Sequence, residues 1–475
     1  MFQRYLPTLF FLAYAIALPA QNLVQATFLE SHTKEELAME YGFFIQYGID
    51  VYKVLYTTPD VHGQLDTASG ALVIPQAREY ALPLFIYQHG TSNAKDNTPS
   101  NLNIGDYEVP LAFGGVGFVS LAPDYLGLGQ SRGFHPYLHA ATEASAAVDM
   151  LRAIGPYVTG QGQSLNGQLF LAGYSQGGHA AMALHRALQQ DYALEYPVTA
   201  AAHMSGPYSL SNVMRDYILS EEEYSSPGYI VRILMGLNEY YQIYDDFSVV
   251  FREPYLGPAL AYYNNELTMS ELHDTLSSLL VQEVGLVQPK YVLQDSLRQN
   301  IIDNPSHPVN LALAENDVYD WAPQCPTRLY YCMADEQVLY TNSLLADSVM
   351  NANGAPDVHS MDINPTLGHF DCAEPALTQA LLFFAPYFDL VMGADAPEAR
   401  AGIQVYPNPA QGWVRVEGLP AGAIVEIIAP DGRCMRRMSF PDSAAELSVG
   451  GLPSGPYLLR ASSGSTVAVK RLLVR

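Results

Sequence analysis

The chain has 475 residues, 49% hydrophobic and 15% charged, which excludes a disordered chain and leaves room for two or three domains. Its 48 acidic and 23 basic residues give a formal net charge of −25. A surface of that sign repels nucleic acid and anionic membranes, so both are excluded as favoured partners.

The opening run MFQRYLPTLFFLAYAIALPA has one arginine, an apolar stretch and a close on small residues. This predicts a signal peptide over 1–20, cleaved after Ala17 or Ala20. The alternative, a membrane anchor, suffers from the shortness of the run, and no later segment is long and apolar enough to span a bilayer. An exported chain permits disulfides.

Alternation over 49–75 predicts an opening hairpin. Four short apolar runs follow, PLFIYQHG, VGFVSLAPDY, QLFLAGYS and VTAAAHMSG. With helical periodicity over 142–154 and 176–189 between them, they predict a mostly parallel sheet covered on both faces. The rhythm stops at Gly206 and resumes near Thr327 with RLYYCM, VHSMDI and a last helix through ALTQALLFFAPYF. The interval 206–324 is too long for a loop. Its segments SPGYIVRILMGLNEYY and LTMSELHDTLSSLLVQE predict helices, hence a cap over the sheet end, with a separate accessory domain as the alternative. The α/β unit with this insertion is assigned to 21–392. GADAPEARAG is a predicted linker over 393–402, and short alternating strands after it predict a small all-β sandwich over 403–475.

Gly173-Tyr174-Ser175-Gln176-Gly177 lies between a buried strand and a predicted helix, the context that turns a bare G-x-S-x-G match into a nucleophile elbow. Ser175 is the candidate nucleophile, and the Gln176 N–H at the helix start can face a developing oxyanion. The second donor is expected from the loop after PLFIYQHG, from Thr91 or Gly90. A serine hydroxyl needs a base and an orienting acid. RLYYCM runs into Asp335-Glu336, of which Asp335 is favoured because neighbours at a strand end face different ways. His369 in Gly368-His369-Phe370 precedes the last helix and is the candidate base.

Cys332 and Cys372 each lie three residues from one of these candidates, so a Cys332–Cys372 bridge is expected. A Cys325–Cys332 bridge is excluded, because the two flank a strand too long for it; the alternative is four unpaired buried cysteines. His135 and His139 have a metal-like spacing, but Pro136 opposes a regular helix and no zinc pattern accompanies them. No metal or organic cofactor is expected.

QHGT (88–91), PDYLGLG (123–129), HPYLHAATEA (135–144), GYSQGG (173–178), ADEQV (334–338) and GHFDCA (368–373) together resemble the secretory lipase family of α/β-hydrolases over about 81–388. The resemblance implies an α/β-hydrolase fold with a helical cap, a Ser175/Asp335/His369 triad without cofactor, acyl-ester substrates and an acyl tunnel in the cap. It also implies Asp124 and Tyr125 near the active-site mouth. YPNPA (406–410), GLPSGPYLLR and the ending VKRLLVR resemble a type IX secretion C-terminal sorting domain, implying a Bacteroidota-type source and passage across the outer membrane. A secreted or surface-attached ester hydrolase (lipase or esterase) is the leading expectation. Its partners would be a small-molecule or lipid ester and the type IX machinery. The alternatives are a secreted serine peptidase releasing short N-terminal peptides, with Glu221–Glu223 or Asp245-Asp246 gripping an amine, and a non-catalytic binding protein on a hydrolase scaffold.

Overall fold

The computed structural model describes residues 22–42, 44–392, 404–419, 422–429, 433–463 and 466–475. The predicted signal peptide and linker lie outside the described residues.

Ten strands form the main sheet: β1 (Leu23–His32), β2 (Ile49–Pro59), β3 (Leu65–Pro75), β4 (Tyr80–Gln88), β5 (Val119–Pro123), β6 (Ser164–Tyr174), β7 (Ala200–Met204), β8 (Thr327–Tyr331), β9 (Val358–Asp362) and the short β10 (Val391–Met392), which pairs antiparallel with β4 off the main path. Their order is β1-β2-β3-β5-β4-β6-β7-β8-β9. β2 and β3 form the opening hairpin, in register from Ile49↔Pro75 to Pro59↔Leu65. From β5 through β9 all pairings are parallel. The parallel strands are apolar on both faces because helices cover both. Helices Ala140–Gly160 and Gln176–Asp191 pack on one side, where Leu151, Ile154 and Leu184 meet Leu121 and Leu171. Helices Glu108–Val116 and His369–Phe384 cover the other, where Phe113 and Phe384 meet Phe85 and Phe170.

Between β7 and β8 the chain leaves the sheet and returns 122 residues later, 326 − 204 by the strand ends. The excursion is helical, with Gly228–Tyr241, Leu256–Tyr263, Met269–Val284, Asp295–Asp303 and Pro308–Glu315. These helices bury a core of their own around Val231, Met235, Phe251, Leu272 and Leu276, so the insertion is a packed cap rather than a loop. Among the described residues no helix is long and apolar enough to cross a membrane.

The C-terminal segment forms seven strands, antiparallel except where Gln404–Gln411 meets Thr466–Val474. Val414, Val425, Leu447, Leu459 and Leu472 fill their shared core. Alternating in-and-out residues on short strands produce this arrangement.

Candidate active site

The carboxyl ends of the central parallel strands carry the candidate residues. Ser175 sits in the turn from β6 into helix Gln176–Asp191, at φ 58° and ψ −124°. For a residue with a Cβ this backbone costs about 1–3 kcal/mol and persists only where the surroundings over-determine it. They do so here. The Ser175 N–H donates to Met204 O at 3.0 Å. A Cβ on Gly173 would lie 2.0 Å from Gly177 O, and one on Gly177 would lie 1.9 Å from Gln88 O. Only glycine at both flanks lets the chain turn this sharply and lift Ser175 Oγ above the sheet.

His369 Nε2 lies 2.8 Å from Ser175 Oγ, and His369 Nδ1 lies 2.7 Å from Asp335 Oδ2. A carboxylate only accepts, so the proton sits on Nδ1 and the Nε2 lone pair faces the serine hydroxyl. Asp335 is buried, and its other oxygen accepts the Gln337 N–H at 3.0 Å and the Val338 N–H at 2.8 Å. Both oxygens of this carboxylate are therefore fixed. Glu336, the competing acid, accepts the His369 main-chain N–H at 3.0 Å. The Tyr174 hydroxyl donates to the His369 carbonyl. The histidine is thus held by its ring and by both of its main-chain polar groups. A Cys332–Cys372 disulfide, both cysteines fully buried, joins the end of β8 to the histidine helix. Cys325 and Cys434 are unpaired.

The Gln176 and Thr91 N–H groups have no partner among the described residues. Gly90 differs: its N–H donates to Asp106 Oδ2 at 2.7 Å. Of the two residues expected to supply the second oxyanion donor, Gly90 is already engaged and Thr91 is left. Asp124 and Tyr125, expected near the active-site mouth, are both fully buried. Asp124 accepts from Ser69 Oγ at 2.5 Å and from Ser100 N at 3.0 Å. Tyr125 stacks on His89 with ring centroids 4.3 Å apart and donates its hydroxyl to His89 O at 2.9 Å. Their work is to hold the His89–Thr91 loop from below.

A second buried set was not foreseen. The Gln176 side-chain amide donates to His135 Nε2 at 2.7 Å and to Glu143 Oε1 at 3.0 Å. Glu143 Oε2 meets His179 Nδ1 at 2.7 Å, and His179 Nε2 faces Asn316 O at 2.9 Å. This ties the residue after the nucleophile to the cap through Asn316. The available signal was a glutamate among the alanines that open helix Ala140–Gly160. His135 and His139 turn to different partners, Leu126 O at 2.7 Å and Thr142 Oγ1 at 3.0 Å for their Nδ1 atoms. The cap carboxylates Glu221–Glu223 and Asp245-Asp246 are exposed. Glu221 pairs with Lys290, and Asp246 caps its own turn at Ser248.

The larger unit aligns with several solved structures. A ligand-bound form of the rice cell wall degrading esterase LipA from Xanthomonas oryzae aligns at TM-score 0.68 and 26% identity, covering 76% of this chain and 97% of that one. A putative hydrolase from Legionella pneumophila aligns at 0.70 and 25%, covering 77% and 98%. The larger unit has the α/β-hydrolase fold. Candida antarctica lipase A, at 0.59 and 15% identity over 80% of this chain and 87% of its own, shares that fold. Residues 404–475 match the family described as secretion system C-terminal sorting domain. Among curated proteins no sequence matches.

Proposed function

We propose that this α/β-hydrolase is an exported serine esterase that cleaves carboxylic esters through an acyl-enzyme. The observation that carries the reading is the unbroken line Asp335–His369–Ser175, at 2.7 and 2.8 Å, beside two unpartnered N–H groups. Ser175 Oγ attacks the ester carbonyl while His369 Nε2 takes its proton. The carbonyl oxygen, now negative, is received by the N–H groups of Gln176 and Thr91. As the alcohol leaves, the proton on Nε2 passes to its oxygen. A water then gives its proton to His369 and attacks the acyl carbon, releasing the acid and restoring the serine. Asp335 keeps the imidazole in the tautomer each step needs. Esterases among the structural neighbours support this choice of bond.

The same reading takes residues 1–20 as a cleaved signal peptide and 403–475 as the address for type IX secretion, supported by the sorting-domain match. The enzyme proper is then 21–392, acting at or beyond the cell surface. Ser175→Ala tests the mechanism: kcat for p-nitrophenyl esters is expected to fall by about 10⁴-fold or more. An unchanged rate excludes it. Peptide p-nitroanilides should remain uncleaved by the unaltered enzyme, because the cap carboxylates face solvent; rapid cleavage would select the peptidase instead.

A further inference from the structure

Four buried polar side chains surround the first turn of the helix that follows Ser175, and the steps above use none of them. Gln176, His179, Glu143 and His135 are 1%, 0%, 1% and 4% exposed. A buried polar set of this kind adds little net stability over a well-packed apolar core. One of its atoms is also left unsatisfied. Gln176 Oε1 meets no donor among the described residues, which costs about 1–3 kcal/mol. Its neighbours dictate that orientation. His135 Nδ1 gives its proton to Leu126 O at 2.7 Å, so His135 Nε2 can only accept. The Gln176 amide nitrogen faces that atom at 2.7 Å and Glu143 Oε1, a second acceptor, at 3.0 Å. Turning the amide over would set its oxygen against two acceptors, so the side chain has a single pose.

The direction of the Gln176 main-chain N–H is set by the peptide plane it shares with the Ser175 carbonyl. That carbonyl accepts the Gly178 N–H at 2.9 Å and the His179 N–H at 3.3 Å. Gln176 and His179 are three residues apart on one helix, hence neighbours on one face, and Glu143 reaches both. Its Oε1 takes the Gln176 amide, and its Oε2 faces His179 Nδ1 at 2.7 Å. One carboxyl group thus closes the first helical turn from outside, and the Ser175–Gln176 peptide lies within that turn. His179 Nε2 gives its proton to Asn316 O at 2.9 Å. Asn316 accepts the Ala140 N–H at 2.8 Å and donates to the Tyr241 hydroxyl at 2.9 Å. The turn is thereby fastened to the helix that carries Glu143 and to the cap.

We infer that Glu143 is a positioning residue for the oxyanion site: through Gln176 and His179 it holds the Ser175–Gln176 peptide so that the Gln176 N–H stays aimed at the developing negative charge. The inference rests on the esterase reading and assigns part of its transition-state binding to a residue outside the triad.

An oxygen-to-sulfur exchange in the substrate reads the bond in question. Sulfur accepts hydrogen bonds more weakly than oxygen, so O-(4-nitrophenyl) thionoacetate gains less from the oxyanion donors than p-nitrophenyl acetate does. Both release the same p-nitrophenolate. On the full chain, Glu143→Leu is expected to lower kcat/KM for the acetate by about 10- to 100-fold and the acetate-to-thionoacetate ratio by about 5-fold or more. Glu143→Gln should recover most of both losses, because its amide can accept from Gln176 and donate to His179 Nδ1. Should Glu143→Leu not fold, Gln176→Met removes the clamp while leaving the Glu143–His179 pair, and the same ratio is read. Equal slowing of the two substrates would make the network a scaffold for the turn only, and the inference fails. It fails as well if Glu143→Leu is as active as the unaltered enzyme, or if Glu143→Gln falls as far as Glu143→Leu. An unaltered enzyme that cleaves neither substrate removes the esterase reading, and this inference with it.

Discussion

Asp335 and Glu336 follow each other at the end of β8, and the turn there sends them to different atoms of one histidine. Asp335 meets the ring at 2.7 Å and Glu336 the main-chain N–H at 3.0 Å. In the proposed mechanism only the first is coupled to the proton that moves. Asp335→Asn should therefore lower kcat for a p-nitrophenyl ester by about three to four orders of magnitude, because an amide can favour the wrong imidazole tautomer. Glu336→Gln keeps an oxygen acceptor for the N–H and should stay within about 10-fold. Equal losses would mean that the two acids share the role. The serine, the order of acid and base and the preference for Asp335 were legible from strand context and chain order. The second bond to the histidine was not, because a side chain's direction in a turn depends on φ and ψ that residue type does not fix. Gly90 and Thr91 illustrate the same limit: Asp106, fifteen or more residues on, decides which N–H is free.

At the scale of elements, the strand ends bring the site together, and the disulfide fastens two of them. The mostly parallel sheet, the helical insertion and the C-terminal strands were readable because apolar period and length separate strands from helices, whereas the order of strands in the sheet was not. The cap's interior was not, since its helices pack on each other around a core no local pattern announces. Cys332 and Cys372 are 40 residues apart, and closing a loop of that size restrains the unfolded chain by about 4 kcal/mol in the entropy account. The bridge lies behind the triad and touches no reacting atom. Replacing both cysteines with alanine should therefore lower the melting temperature by several degrees, while kcat at 25 °C stays within about 10-fold. An unchanged melting temperature would show that the bridge does not form in the exported protein.

The whole molecule carries two opposing responses to acid. Its −25 charge repels itself, and that repulsion eases as carboxylates take up protons, mostly below about pH 5. Its buried histidines act earlier and in the other direction. Burial pushes His139 down to about 4 and His185 to about 3, and holds His135 and His203 well below the ordinary value. Unfolded, each would titrate near 6.5. Above that pH both states are neutral and nothing is lost. As pH falls below 6.5 the unfolded chain binds protons the folded one refuses, so stability declines through the interval down to about 4. At pH 5 the cost is at most about 2 kcal/mol per histidine. With His273, which burial also pushes down to about 4, five such groups outweigh the relief of surface repulsion, which salt already screens. Melting temperature in 0.5 M NaCl is thus expected to be level from pH 8 to 7 and to drop steadily from 6.5 to 5. A curve that stays level or rises over that interval would mean that these histidines are protonated in the folded chain.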